Sequence, residues 1–179
     1  MISVKVADTS PRTLHGVRYC VRFFLEGISI MPNVMPSFSY KSIKVFGGLA
    51  ETRYLSCDPD RSKIGVYLAN RDTDPNQSQK WSYIFDFARD VSQIANSFND
   101  RYLTRYKDDV RRVTLDINPT SADMRTWGFI PLGDNTFNIY GVTNGKMYFL
   151  SCQDNGFIVD MFDQDDGSGR QRWVIEGVV

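Results

Sequence analysis

Short runs of alternating hydrophobic and polar residues recur along most of the chain and predict β-strands. Such a run places its apolar side chains on one face of a strand, so each strand is expected to bury one face. Turn sequences separate the runs, among them Gly47-Gly48, Asn99-Asp100, Asn144-Gly145 and Asn155-Gly156. From residue 41 onward, the pattern predicts an all-β domain of about twelve short strands.

The runs belong to a repeat that is marked by tryptophan. Trp81, Trp127 and Trp173 follow one another at intervals of 46 residues (127 − 81 and 173 − 127). Gln79 and Gln171 stand two residues before the first and third tryptophan, and Arg125 stands before the second. Each repeat also carries an aromatic-Leu-Ser/Thr segment, namely Tyr54-Leu55-Ser56, Tyr102-Leu103-Thr104 and Phe149-Leu150-Ser151. We therefore predict three four-stranded repeats, at about 41–87, 88–133 and 134–179.

Three equally spaced repeats that end in Gln-x-Trp resemble the β-trefoil fold, and specifically the ricin B-chain-like lectins. The resemblance covers residues 41–179 and implies a pseudo-threefold barrel with a hairpin cap. The three tryptophans, together with Leu55, Leu103 and Leu150, are expected to fill the core. Cys57 and Cys152 occupy the same repeat position and are expected to be small buried hydrophobes.

Residues 1–40 lie outside the repeats and are expected to form an N-terminal extension. Forty residues rarely hold a core alone, so an independent domain is not expected. The runs at 2–8 and 17–27 can each form a strand, which allows a packed hairpin. The second run is apolar on both faces and could pack on the barrel or form a homodimer surface. Pro32 and Pro36 favour an extended linker, and His15 is expected at the surface.

Charge and hydropathy narrow the classes of partner. Lys+Arg and Asp+Glu both total 21, and this balance argues against nucleic-acid binding. No run approaches the roughly 20 apolar residues of a membrane-spanning helix. The N-terminus has no apolar signal-peptide core, so a cytoplasmic location is expected, with unconventional release left open. The three cysteines (Cys20, Cys57 and Cys152) are then expected to be reduced thiols.

Catalytic and metal-binding motifs are missing from the sequence. His-Glu-x-x-His, a Walker loop, Gly-x-Ser-x-Gly and the Cys/His spacing of zinc sites do not occur. The Asp-rich segment 163–167 fails the EF-hand pattern, because no acidic residue occupies the last ligand position. We therefore expect a protein that is not an enzyme and needs no cofactor and no metal.

The resemblance also implies what a sugar site would need within one repeat. An Asp after the aromatic-Leu segment would accept sugar hydroxyls, a ring on the third strand would stack on the pyranose, and an amide near Gln-x-Trp would complete the hydrogen bonds. The Asp position holds Ser56, Thr104 and Ser151, so this anchor is absent. The ring position holds Ala69, Asp116 and Phe162, so only the third repeat keeps a ring.

A carbohydrate site is therefore predicted in the third repeat, at Asp160, Phe162, Arg170, Gln171, Asp154 and Asn155. The alternative reading is that Phe162 only covers the barrel and that 163–169 is a solvated loop. Tyr67 with Asn76-Gln77 is a poorer candidate in the first repeat, and the second repeat looks degenerate.

A non-enzymatic lectin that binds glycans or glycoproteins is the predicted function. A trefoil protease inhibitor or another loop-mediated protein-binding module is the first alternative, since loops on a rigid barrel are natural interaction sites. The loops concerned are 70–79, 118–125 and the one near Gln164. The receptor-binding component of a toxin is the second alternative.

Overall fold

In the computed structural model of the chain, residues 38–39, 41–58, 60, 64–71, 78–86, 91–106, 108–117 and 122–176 are described. The predicted hairpin and homodimer surface of the N-terminal extension lie outside these residues, as do His15, Cys20 and Asn76-Gln77. Within the described ranges, no helix has the length and apolar character needed to cross a bilayer.

Twelve strands account for nearly all of the regular structure in the described residues, four in each predicted repeat. The first repeat holds β1 (Ile43–Val45), β2 (Tyr54–Cys57), β3 (Val66–Ala69) and β4 (Trp81–Asp86). The second holds β5 (Val91–Asn96), β6 (Arg101–Arg105), β7 (Val113–Asp116) and β8 (Gly128–Gly133). The third holds β9 (Thr136–Thr143), β10 (Lys146–Cys152), β11 (Val159–Phe162) and β12 (Arg172–Ile175). The predicted all-β class is confirmed.

A short helix lies in a segment for which the sequence predicts a loop. Helix α1 spans Ala122–Arg125, at the end of the predicted loop 118–125. Ala, Met and Arg are good helix formers, and Arg125 stands in the last turn, where a cation suits the negative end of the helix. The strand-based reading of the sequence missed this turn because four residues are too few to show a helical period.

The first and fourth strands of the three repeats close into a six-stranded ring. β1 pairs with β12, β12 with β9, β9 with β8, and β4 with β5, all antiparallel. Lys41 and Trp81 exchange two backbone hydrogen bonds of 2.9 Å and so join β4 to the chain entering β1. The Trp127 amide donates to the Ser92 carbonyl at 2.9 Å and joins β8 to β5. The ring runs β1-β4-β5-β8-β9-β12.

The second and third strands of each repeat form hairpins that cap one end of this barrel. The hairpins are β2–β3, β6–β7 and β10–β11. Each third strand donates one backbone amide to the chain just before the third strand of another repeat: Leu68 to Phe157 at 2.9 Å, Leu115 to Ile64 at 3.1 Å, and Met161 to Arg111 at 3.0 Å. The three bonds run in a circle around one axis. The protein therefore has the β-trefoil fold predicted from its repeats.

The repeated tryptophans tie the cap to the barrel. Each indole N–H donates to the carbonyl of the repeated leucine: Trp81 to Leu55 at 2.9 Å, Trp127 to Leu103 at 2.8 Å, and Trp173 to Leu150 at 2.8 Å. All six side chains are buried. A buried indole needs a partner for its N–H, and the same carbonyl supplies it three times. The predicted core role of these residues is confirmed.

The chain before β1 also contributes to the core. Phe38 is buried, and its ring stacks on Tyr83 with a centroid distance of 5.9 Å. Phe38 also meets the edge of Phe129 at 6.0 Å, and its carbonyl accepts a hydrogen bond from the Tyr83 amide at 2.9 Å. These contacts pin the end of the predicted extension against β4 and β8.

Cys57 and Cys152 are buried free thiols, as predicted. Burial raises the pKa of each thiol to about 11, so both stay protonated at neutral pH and neither is a ready nucleophile. The same position of the second repeat holds Arg105, which is buried and donates to the Thr143 hydroxyl at 2.7 Å. Its guanidinium stands 5.5 Å from the Trp127 ring centroid.

Candidate functional site

The serines at the expected aspartate position are buried structural residues. Ser56 and Ser151 are 1% and 2% exposed. Each hydroxyl accepts a hydrogen bond of 3.1 Å from the amide nitrogen of the Gln-x-Trp glutamine in its own repeat, Gln79 or Gln171. The glutamine therefore holds the second strand through a serine, just as the tryptophan holds it through a leucine carbonyl.

A pocket of about 420 Å³ lies on the third repeat, between the β10–β11 hairpin and the segment that enters β12. All six residues predicted for the sugar site line this pocket: Asp154, Asn155, Asp160, Phe162, Arg170 and Gln171. Three further residues line it, Ser151, Cys152 and Gln153. The structure thus brings the whole predicted set together, and their role in binding remains a prediction.

Asp160 and Phe162 lie two residues apart on β11 and face the pocket together. The antiparallel pairing of β10 and β11 places Asp160 opposite Ser151 and Phe162 opposite Phe149. Both side chains are partly exposed, whereas Met161 between them is buried in the cap. Alternation along the strand therefore gives the pocket a carboxylate and a ring on one face, at the spacing that the sequence predicted.

The carboxylate of Asp160 stands in a partly dehydrated place. Burial raises its pKa above the usual 3.8, while the hydrogen bond from Gln153 and the charge of Arg111 lower it and only partly offset the burial. The Gln153 amide nitrogen donates to the carboxylate at 3.2 Å. Gln153 therefore orients an acceptor that keeps further lone pairs for a ligand.

Arg170 is held by carboxylates at the edge of the pocket. Its guanidinium forms ion pairs with Asp154 and with Asp166, the latter at 3.0 Å. Its Nε donates to the Ser168 hydroxyl at 3.0 Å. The arginine is thus a fixed element that links the β10–β11 turn to the Asp-rich loop.

The turn that carries Asp154 and Asn155 is shaped by Asn155 itself. The Asn155 side-chain oxygen accepts hydrogen bonds from the amides of Phe157 at 2.9 Å and Ile158 at 3.3 Å. Gly156 has a φ of 70°, a left-handed conformation that glycine adopts without strain. Asn155 is therefore a turn-forming residue, and the hydrogen bonds of the turn fix the orientation of its side chain at the pocket.

The Asp-rich loop, residues 163–169, is bound to the barrel by hydrogen bonds. Asp165 accepts from Asn138 at 3.2 Å and from Arg172 at 3.0 Å. Burial raises the pKa of Asp165, but the hydrogen bonds from Gly167, Asn138 and Arg172 outweigh it and leave the pKa below its usual value. In the described part of the chain, no group of three His, Cys, Asp or Glu side chains is placed to hold a metal ion.

The other two repeats lack the pair of groups found on β11. Opposite the repeated aromatics Tyr54 and Tyr102, the ring position holds Ala69 and Asp116. Tyr67 is partly buried and forms a bridge to Ile158 in the cap. The Thr114 hydroxyl donates to the Ile64 carbonyl at 3.0 Å. Tyr67 and Thr114 therefore contact neighbouring hairpins.

Sequence reasoning missed Gln153 and treated Ser151 only as a lost anchor. The hairpin register could have found Ser151, because an antiparallel β10–β11 pair with a tight turn at 154–156 places it opposite Asp160. Nothing in the local sequence marks Gln153, since its role depends on reaching across the turn to Asp160.

The raised pKa of Asp160 gives a testable prediction about stability. The pKa of Asp160 is higher in the folded protein than in the unfolded chain, where it is 3.8. The free energy of unfolding therefore falls as the pH rises from 3.8 to the folded-state pKa. At pH 7 the charged carboxylate is therefore a net cost to folding, and Asp160→Asn is expected to raise the thermal midpoint. The gain should vanish below pH 3.8.

Asp163→Asn is the matched control. Lys146 donates to Asp163 at 3.0 Å and lowers its pKa, so this variant is expected to lower the thermal midpoint at pH 7. Differential scanning fluorimetry at pH 3 and pH 7 measures both variants. An Asp160→Asn protein less stable than wild type at pH 7 would contradict the prediction.

Comparisons with known proteins support the fold. No protein-family model matches the sequence, and no curated protein matches it at a significant level. The structure of a GlcNAcα1-4Gal-releasing endo-β-galactosidase from Clostridium perfringens is similar, with a TM-score of 0.60 and 11% identity, over 76% of this chain and 32% of that chain. This chain thus spans about a third of that enzyme.

Two smaller proteins match over nearly their whole length. SeviL, bound to asialo-GM1 saccharide, has a TM-score of 0.55 and 12% identity, over 76% of this chain and 95% of that chain. ThreeFoil, a designed threefold-symmetric protein, has a TM-score of 0.60 and 15% identity, over 76% of this chain and 96% of that one. At such identities the similarity shows a shared fold alone.

Proposed function

We propose that the protein is a lectin without enzymatic activity and that its principal site is the pocket of the third repeat. The observation that carries this proposal is the pairing of Phe162 and Asp160 on one face of β11, inside a pocket of about 420 Å³. That size lies within the range of small-molecule sites, about 300–1,000 Å³.

The two groups match the two kinds of surface on a sugar. A pyranose has an apolar face of C–H groups that packs on an aromatic ring, and Phe162 supplies the ring. The hydroxyl groups of the sugar donate to carboxylates, and Asp160 supplies such an acceptor. Gln153 orients this carboxylate by donating a hydrogen bond of 3.2 Å to it. SeviL, whose structure contains a saccharide, has the same fold, which supports sugar binding as the first function to test.

The chemistry of the lining supports binding rather than catalysis. Glycoside hydrolysis generally needs two carboxyl groups that flank the scissile bond, one of them free to move a proton. Asp154 is engaged in an ion pair with Arg170, and the Cys152 thiol is buried and protonated at neutral pH. Asp160 then acts alone, as a hydrogen-bond acceptor.

A glycan array probed with the labelled protein tests the function directly. We expect binding to a restricted set of glycans that free sugar competes away. The control is Phe46→Ala, which removes an exposed aromatic ring on the chain that follows β1 and should leave the array unchanged. Binding to no glycan would overturn the lectin proposal. Inhibition of a panel of serine and cysteine proteases would then favour the loop-mediated alternative.

A further inference from the structure

Gln171 leaves one buried atom without a partner at the pocket. The residue lines the pocket and is only 1% exposed. Its amide nitrogen donates to the Ser151 hydroxyl at 3.1 Å. Its side-chain oxygen is shielded from solvent and has no hydrogen-bond partner among the described residues. A buried acceptor that stays unpaired costs free energy, so a ligand that supplies a donor there gains affinity.

Ser151 determines that the nitrogen of the Gln171 amide is hydrogen-bonded and that its oxygen is left without a partner. The Ser151 hydroxyl donates to the Cys152 carbonyl at 3.4 Å, and its oxygen therefore accepts from the Gln171 nitrogen. In the first repeat, Ser56 donates to the Tyr54 carbonyl at 3.0 Å and accepts from Gln79 in the same way. The Gln79 nitrogen has a second acceptor there, the Asn70 carbonyl at 2.7 Å. In the third repeat the same glutamine–serine bond forms, and the buried Gln171 oxygen is left without a partner.

The charges around the pocket favour a ligand without negative charge. Two carboxylates, Asp154 and Asp160, and one guanidinium, Arg170, line it. Asp154 and Asp166 already engage this guanidinium, so little of its charge is available to an anion. Arg111, which lowers the pKa of Asp160, is exposed and outside the lining. An anionic ligand would therefore meet Asp160 at close range without an unengaged cation in the lining.

We infer that the pocket selects uncharged sugars, that the Gln171 oxygen accepts a hydrogen bond from the ligand, and that Ser151 is the positioning residue that turns this oxygen towards it. The inference rests on the lectin function proposed above and specifies the ligand class of the same pocket. The Asp160 carboxylate and the Gln171 oxygen, which both line the pocket, then accept hydrogen bonds from hydroxyl groups of the sugar.

Matched sugar pairs test the charge selection on the wild-type protein. The probes are the methyl glycosides of glucose, galactose and mannose, each beside its uronic acid, in which one CH₂OH group is replaced by a carboxylate. Isothermal titration calorimetry at pH 7 is expected to show at least about tenfold tighter binding of the uncharged member. A uronic acid that binds as tightly as its partner overturns the inference and leaves the lectin function standing. Binding by none of the six probes also overturns it, and the glycan array then decides separately on the function.

Variants of the two glutamines test the acceptor. Gln171→Met keeps the length of the side chain and removes the amide, and it is expected to weaken binding by at least about tenfold. Gln79→Met removes the equivalent bond to Ser56 and is expected to leave the affinity unchanged. Equal affinities for the two variants overturn the assignment.

Ser151 has a test of its own that does not depend on Gln171→Met folding. Ser151→Ala frees the amide to turn and is expected to weaken binding, whereas Ser151→Thr keeps a hydroxyl and should restore it. Threonine fits the equivalent site of the second repeat, where Thr104 is buried. The control is Ser56→Ala, with no expected effect on affinity. Failure of Ser151→Thr to bind better than Ser151→Ala contradicts the positioning role.

Discussion

Replacing Trp127 by alanine is expected to lower the free energy of unfolding by about 3–5 kcal/mol, the range for deleting a large aromatic side chain from a core. Trp127 is 1% exposed, and its indole donates to the Leu103 carbonyl at 2.8 Å. The variant loses the apolar contacts and leaves that buried carbonyl without its donor. A domain of this size has a total stability of about 5–15 kcal/mol, so the loss takes a large share of it.

Urea denaturation followed by circular dichroism measures this effect. Trp127 is chosen because the second repeat lacks the predicted site, so the result reports on the fold alone. Phe46→Ala, which removes a ring that is 55% exposed, serves as the control and should change stability by no more than about 0.5 kcal/mol. Similar losses in the two variants would show that the repeated tryptophan does not hold the cap to the barrel.

Replacing Phe162 by alanine is expected to weaken glycan binding by roughly 5- to 150-fold while leaving the fold intact. The ring is partly exposed in the pocket, and its removal takes away the apolar platform for a sugar. Losing such a contact costs about 1–3 kcal/mol of binding free energy, which corresponds to roughly 5- to 150-fold in affinity.

Two further variants distinguish the effect of the flat ring of Phe162 from the effect of its apolar volume. Phe162→Leu keeps much of the apolar volume but loses the flat ring, so it should bind weakly, whereas Phe162→Tyr keeps the ring and should bind well. Calorimetry with the best glycan of the array measures all three, and thermal unfolding confirms that each is folded. An alanine variant with wild-type affinity would place the site elsewhere.

The barrel and its cap were predictable because every repeat carries its own local signals. The alternation around Leu55, Leu103 and Leu150 marks three equivalent strands, and the equal spacing of the tryptophans marks three equivalent ends. Patterns of period two depend only on which face of a strand is buried, so they can be recognised from the amino-acid sequence alone. Helix α1 was not predicted, because a single turn is too short to show the helical period.

The candidate site was only partly predictable. Asp160 and Phe162 stood out because their spacing puts them on one strand face, and Arg170 and Gln171 because they precede the last tryptophan. The resemblance led to the expectation of an aspartate after the aromatic-Leu segment, and the structure shows why serine serves there. Ser151 is buried, and its hydroxyl accepts a hydrogen bond from Gln171.

The sequence by itself determined the strands, the threefold repeat and the residues that fill the core, because each follows from which neighbours along the chain are apolar. Only the tertiary structure decided how the two equivalent glutamines differ. The Gln79 nitrogen reaches a second acceptor at Asn70, while the buried Gln171 oxygen is left without a hydrogen-bond partner. The physical reason is that hydrogen-bond satisfaction depends on groups that are apart in the sequence, by 9 residues for Gln79 and Asn70 and by 20 for Gln171 and Ser151, and that folding brings within about 3 Å.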